Sequence, residues 1–241
     1  MEKLRTDITF ALPHEFRTAL NGILGFSTQI YKITLEKTAL KSKYVEEIHD
    51  MASLITASGR HLQRLTENFL LYSQLSTYQD KQDKIEDLQK LQLNNSKEII
   101  TELVLQVSKE FKREWDFDMK IGNYCLQISS YHFHKIIFEL IDNALKFSSP
   151  GNIITIEDEN NYGCYSLKVI DNGRGMTPEQ IENIGAYCQF DRYVYEQQGT
   201  GMGIIIAKLL VFLHSGKFNI SSKINTGTEV SISLPLAQCK G

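Results

Sequence analysis

The apolar positions at the start of the chain recur at helical spacing. Ile8, Leu12, Ala19, Ile23, Phe26 and Ile30, with Glu15 filling the gap, follow at three- and four-residue steps. That is the stripe of one buried helical face. It predicts a helix over about 7–33, capped by Thr6 or Asp7. Pro13 lies inside it, deletes a backbone hydrogen bond and is expected to bend it just before His14. The stretch 34–43 is polar and loses the period. Val45, Ile48, Met51, Ile55, Leu62, Leu65, Phe69, Tyr72 and Leu75 then mark a second amphipathic helix. Two such helices joined by a short turn form an antiparallel hairpin that cannot bury both stripes alone. Two copies are expected to make a four-helix bundle.

The pattern changes beyond the hairpin. Residues 76–90 are polar and charged and read as a linker or a frayed helix end. A short strand is expected at 91–93, then a helix from Asn95 and Glu98 to about Arg113. Strands follow near 117–121 and 125–128. A strongly apolar helix covers about 131–147 and stops at Ser148-Ser149-Pro150-Gly151. Alternation predicts strands at 153–157 and 165–170, turned by the Asn160–Gly163 cluster. Thr177-Pro178 starts a short helix. Residues 185–200 are irregular, a helix runs from Gly203 to about His214, and strands close the chain at 217–222 and 228–234. Mixed strands with helices gathered on one face make an α+β sandwich. The expected domains are a helical hairpin at 1–80, a linker at 81–90 and a sandwich at 91–241.

Composition narrows the function classes. With 241 residues the chain can hold two domains, and 42% hydrophobic with 23% charged residues is ordinary for a soluble globular protein. A formal net charge of −3 gives no case for a nucleic-acid surface. The longest apolar run, Ile204 to Leu213, is interrupted by Lys208. It is well short of the roughly 20 residues that span a bilayer. No membrane segment and no signal peptide are expected in this chain, and its expected setting is cytoplasmic. Cys125, Cys164, Cys188 and Cys239 form no C-x-x-C pair, which favours reduced thiols. His49, His61, His132, His134 and His214 have no partner at metal-ligand spacing and read as structural or surface residues.

Four places carry candidate chemistry. His14 falls beside the first helical stripe, with Glu15 next to it. A neutral imidazole whose tautomer is held by a carboxylate can act as a nucleophile, although such a pair alone is usually just solvated. On the helix of 131–147, Glu139 and Asn143 lie one turn apart and Lys146 follows Asn143 by three. An amide oxygen suits Mg²⁺ and an ammonium suits phosphate; a plain polar helix face is the alternative. Asp171-Asn172-Gly173-Arg174-Gly175 follows a strand, where a carboxylate can accept from an amino group and glycines admit a flat ring. Gly199-Thr200-Gly201-Met202-Gly203 opens an apolar helix whose N–H groups can cradle phosphate. It lacks the Lys-Ser/Thr of a P-loop.

In this order the four resemble the H, N, G1 and G2 boxes of the catalytic core of a sensor histidine kinase. The second half resembles the ATP-binding fold shared with gyrase, mismatch-repair ATPases and heat-shock chaperones. Phe190-Asp191-Arg192 resembles the family's F-box, with Tyr187 in place of its first aromatic. Ala19 stands where the H-box usually has Pro. The resemblance implies His14 as phosphoacceptor and Glu15 as its base. It implies Asn143 on Mg²⁺ with Glu139 near the metal, and Asp171 on the adenine amino group. It places Phe147, Gly173, Gly175 and Arg192 in the nucleotide pocket. Lys146, Gly199, Thr200, Gly201, Met202 and Gly203 would hold phosphates, and 185–200 would be a lid over ATP.

The function so implied is an ATP- and Mg²⁺-dependent protein-histidine kinase. It would be a homodimer that passes phosphate from His14 to the receiver domain of a response regulator. His14-Glu15-Phe16-Arg17-Thr18 also fits the H-E-x-x-T pattern that accompanies phosphatase activity in such families, with Thr18 at work. A nucleotide-binding scaffold without catalysis, or a plain ATPase, are the alternatives.

Overall fold

The computed structural model describes residues 16, 18–30, 32–33, 42–78, 81–161, 163–182, 184 and 202–238. Pro13, His14, Glu15, Arg192, Gly199, Thr200, Gly201 and most of the expected lid lie outside the described residues. The chain divides into two compact units, Met1–Leu71 and Tyr72–Gly241.

In the first unit, helix α1 covers 18–30, and helix α2, Ser42–Ser76, begins here and runs for 35 residues. The two helices come close at Gly22, where an added Cβ would stand 2.6 Å from Ser58 Oγ. An added side chain at Gly22 would first displace the Ser58 hydroxyl. Ala19 and Leu65 are buried, while Leu20, Leu24, Leu54 and Leu70 remain 47–60% exposed. One apolar stripe is thus covered and a second set of leucines faces outward.

The second unit contains helices α3 (Gln82–Gln89), α4 (Ser96–Phe111), α5 (Ser130–Phe147), α6 (Pro178–Glu182) and α7 (Met202–Leu213). Its strands are β1 (Phe117–Lys120), β2 (Ile154–Asn161), β3 (Cys164–Asp171), β4 (Lys217–Lys223) and β5 (Gly227–Pro235). They form one sheet in the order β1-β2-β3-β5-β4. Only β1 and β2 run parallel, with Phe117 opposite Ile154; the other pairs are antiparallel. Helix α5 packs on β3 and α7 on β4 and β5, with α4 alongside α5. This is the expected α+β sandwich.

Alternation sets the buried face. Tyr165, Leu167, Val169 and Asp171 of β3 are the buried residues of that strand, and they meet the apolar stripe of α5, in which Phe133, Ile136, Ile137 and Ile141 are fully buried. Full burial of such side chains contributes roughly 1.5–3 kcal/mol each. The Tyr165 hydroxyl donates to Asp158 Oδ2 at 3.1 Å, so its buried polar end is satisfied. The turn between β2 and β3 forms at the expected cluster, where Gly163 takes φ +83 and its N–H donates to Asn160 Oδ1.

Within residues 81–90 the chain forms α3, a helix with no buried residue. Its Gln89 side chain donates to Leu213 O and Ser215 Oγ, capping α7. The strands expected at 91–93 and 125–128 reduce to single bridges, Leu93 to Leu126 and Leu126 to Leu236. Leu93 and Leu126 are buried and exchange both backbone hydrogen bonds, but the pairing stops at this isolated bridge. Cys125 is disulfide-bonded, against the expectation of reduced thiols, while Cys164 is free and exposed. Ala237 N–H donates to Cys125 O at 2.8 Å, which brings the segment after β5 beside it. His132 and His214, expected to be structural or surface residues, are buried and meet each other at 2.9 Å between Nδ1 and Nε2. His214 Nδ1 also lies 3.1 Å from Gln127 O. Burial, together with the nearby His132, pushes His214 down to about 4.

Candidate functional site

Three elements of the second unit bring the motif residues together. Helix α5 starts at Ser129, whose side chain accepts from His132 N–H, and places Glu139, Asn143, Lys146 and Phe147 on its last three turns. Asn143, Lys146 and Phe147 are half-buried. Glu139, expected beside Asn143 on a polar face, is 1% exposed. Its Oε1 accepts from Lys135 Nζ at 2.6 Å. Its Oε2 faces Gly203, where an added Cβ would overlap it. A buried carboxylate needs such partners. Lys146 pairs with Asp142 Oδ2 at 2.6 Å, so a ligand phosphate would share its ammonium with Asp142.

Asp171 ends β3. It is 7% exposed, and its Oδ1 accepts from Gly173 N–H at 2.8 Å. Burial raises its carboxyl to about 6, against the N–H donors of Gly173 and Thr228, which pull it down. Gly173 is wedged between Asp171 Oδ1 and Phe147 O, and a Cβ would overlap the Phe147 carbonyl. The next amide, Arg174 N–H, donates to Phe147 O at 3.1 Å, and the Arg174 guanidinium lies 4.6 Å from the Phe147 ring centroid. Gly175 has φ +65 and abuts Lys223 O, and Met176 N–H donates to Ser222 Oγ.

The third element is the start of α7. Met202 is fully buried and Gly203 lets the helix end approach Glu139. The glycines before it fall outside the described residues. The assembled site has a buried acceptor carboxylate at Asp171, the end of α5 with Phe147 against the Gly173–Arg174 loop, and the N-terminus of α7 against Glu139. That combination suits a flat base carrying an amino group, joined to an anion.

Residues 129–238 match the family described as "Histidine kinase-, DNA gyrase B-, and HSP90-like ATPase". The match begins at the cap of α5 and runs past β5, so it takes in Glu139, Asn143, Lys146, Phe147, Asp171 and the start of α7. Sensor protein SrrB of Staphylococcus aureus (strain NCTC 8325 / PS 47) is 24% identical over 249 residues, covering 98% of this chain and 39% of that protein. The chain therefore spans about two fifths of the length of the curated relatives it matches, and it is homologous to sensor histidine kinases. Among solved structures, Acinetobacter baumannii histidine kinase AdeS matches with TM-score 0.59 at 16% identity, over 93% of this chain and 98% of that one. Full-length ShkA in complex with AMPPNP matches with TM-score 0.59 at 17% identity, over 99% and 47%. Both share the fold.

The candidate site also includes residues that the sequence motifs do not cover. Gly227 takes φ +128 and lies against Asp171 O, and Thr228 donates its N–H to Asp171. Arg174, within the Asp171–Gly175 turn, adds its guanidinium over the Phe147 ring. The Thr226-Gly227-Thr228 run between two strands was the available signal for the first pair. No group of three or more His, Cys, Asp or Glu gathers at metal-binding distance among the described residues. Asn143 with ligand phosphates still fits Mg²⁺, which takes one or two protein oxygens and keeps water or phosphate in its other positions. No described helix is long and apolar enough to cross a membrane.

Proposed function

We propose that the chain is the ATP-dependent protein-histidine kinase core of a two-component system, with domains at 1–80 and 91–241 joined through 81–90. The observation that carries this is Asp171, buried at the end of β3 among the N–H groups of Gly173 and Thr228, in a domain of the ATP-binding family. Asp171 would accept from the adenine amino group and Phe147 would line the ring. Lys146, Gly199, Thr200, Gly201, Met202 and Gly203 would hold phosphates, and Gly175 and Arg192 would shape the pocket. Asn143 would hold Mg²⁺, with Glu139 behind it, and the ion would neutralise phosphate charge.

Neutral His14 would attack the γ-phosphorus. A nitrogen–phosphorus bond forms, the bridging oxygen leaves on ADP, and Glu15 takes the ring proton. The phosphoryl group would then pass to an aspartate of a response-regulator receiver domain. The exposed leucines Leu20, Leu24, Leu54 and Leu70 suit a homodimeric bundle. Radiolabelled ATP tests the assignment. Acid-labile, base-stable label on His14 supports it; bound nucleotide without label favours a signalling scaffold, and free phosphate without labelled protein a plain ATPase.

Asn143→Asp is expected to abolish most autophosphorylation while the melting transition stays in place, because it sets a charge beside phosphates on a half-buried position. Loss of the fold would assign Asn143 a structural role instead. Thr18 is exposed on α1, one helical turn beyond His14 in sequence. It would hold a water beside the regulator's phospho-aspartate and support phosphatase activity. Thr18→Ala is expected to leave His14 labelling nearly intact and to slow dephosphorylation of the regulator. An equal fall in both activities would mean that Thr18 only supports the helix.

A further inference from the structure

Arg113 is 4% exposed, and its guanidinium is hydrogen-bonded to Asp116 and to the end of α5. The end of α4 aims it. Lys112 takes φ 55, Arg113 N–H donates to Ser108 O, and Lys112 N–H donates to Lys109 O. These bonds form a Schellman close that turns the next side chain inward. Asp116 then orients the guanidinium, accepting from Nε at 2.6 Å, and the same Oδ2 accepts from Gly151 N–H at 2.9 Å.

Helix α5 ends at Ser148 in an extended conformation, without the left-handed residue that usually satisfies terminal carbonyls. Side chains do that work. Ser148 Oγ donates to Ala144 O at 2.6 Å. Arg113 Nη1 donates to Leu145 O at 2.9 Å and Ser148 O at 3.0 Å. Nη2 donates to Ser149 O at 2.9 Å and Asn152 O at 3.1 Å. One planar fork thus grips the helix end and the turn after it. A lysine ammonium cannot span those carbonyls.

The carbonyl on the other side of this helix end, Phe147 O, receives Arg174 N–H and presses on Gly173, whose N–H in turn holds Asp171. Through backbone contacts, the position of Asp171 and of the Phe147 ring therefore depends on where α5 stops. We propose that Arg113, oriented by Asp116, is a positioning residue of the nucleotide site: it clamps the end of α5 so that Phe147 O holds the Gly173–Arg174 loop in register with Asp171. This rests on reading the site as an ATP site.

The test uses the full chain with Arg113→Lys and follows amide hydrogen exchange together with ATP affinity below the melting transition. Exchange at Arg174 N–H is expected to rise at least about tenfold, while Val169 and Ile232 in the sheet stay within about twofold. The ATP dissociation constant is expected to rise about tenfold, the loss of roughly one positioned contact. An unchanged Arg174 amide, a parallel rise at all three amides, or unchanged ATP affinity with a loosened Arg174 would each overturn the proposal. If Arg113→Lys does not fold, Asp116→Asn is read by the same three criteria, since it keeps an acceptor for Gly151 and frees the guanidinium to rotate. If the unaltered chain binds no ATP, the nucleotide reading fails, and the exchange comparison alone decides whether Arg113 holds the loop.

Discussion

Asp171→Asn is expected to make the ATP-binding domain more stable at neutral pH and a weaker binder of ATP. The carboxyl is raised from its ordinary 3.8 to about 6, mainly by burial. Between those two values the folded state holds more protons than the unfolded state, so this group stabilises the fold as pH drops from 6 towards 4. Above pH 6 the folded domain carries a buried charge, at a cost of roughly 3 kcal/mol. A neutral amide removes that cost and keeps an oxygen for the N–H groups of Gly173 and Thr228. The variant's advantage in melting temperature should therefore be several degrees above pH 6.5 and fade near pH 4. Protonation of the His132–His214 pair destabilises both proteins as pH falls from 6.5 towards 4, so the difference between them isolates Asp171. Loss of the charged acceptor should weaken ATP binding by roughly 1.5–3 kcal/mol. Thermal melts across pH and calorimetry with ATP measure both halves. A variant that melts lower at pH 7 would refute the burial cost, and unchanged ATP affinity would remove Asp171 from adenine recognition.

Gly227→Ala is expected to produce the opposite pairing, with stability and ATP binding falling together. Gly227 has φ +128, a conformation that residues with a Cβ rarely adopt, and an added Cβ would overlap Asp171 O and stand 3.0 Å from Asn172 Cα. The obstruction is backbone, within the β3–β5 pairing of Asp171 with Thr228, so no side chain can swing aside. The combined conformational and steric cost is about 3 kcal/mol, which lowers the melting temperature of a domain this size by roughly 6–12 °C. Gly151→Ala is the matching control. It also has positive φ, at +87, but nothing lies within 4 Å of the added Cβ, so only the conformational part applies. Equal losses in the two variants would mean that contact with Asp171 O contributes nothing.

Much of the site was legible locally. The stripe of 131–147 appears as α5, alternation at 165–170 as β3 with Asp171 at its end, and the apolar run from Gly203 as α7. The glycines of the Asp171 loop were read as room for a ligand ring. Gly173 and Gly175 instead meet protein backbone, at Phe147 O and Lys223 O. The helix capping α7 was missed because α3 buries no residue and therefore carries no apolar stripe.

The sequence by itself determined the amphipathic and apolar helices and the strands of the sheet, and which residue types could bind a nucleotide, because periods of 3.6 and 2 and the chemistry of each side chain are local properties. Only the tertiary structure decided how those residues are held. Arg113 reaches carbonyls 32 and more residues away, and His132 meets His214 across 82 residues. Glu139 turns inward to Lys135 and Gly203 although its helical spacing equally allows a solvent-facing side. A one-dimensional pattern records which face of an element is apolar. It does not record which distant backbone groups arrive beside that face once the sheet and helices have packed, and those arrivals set the charge state of Asp171.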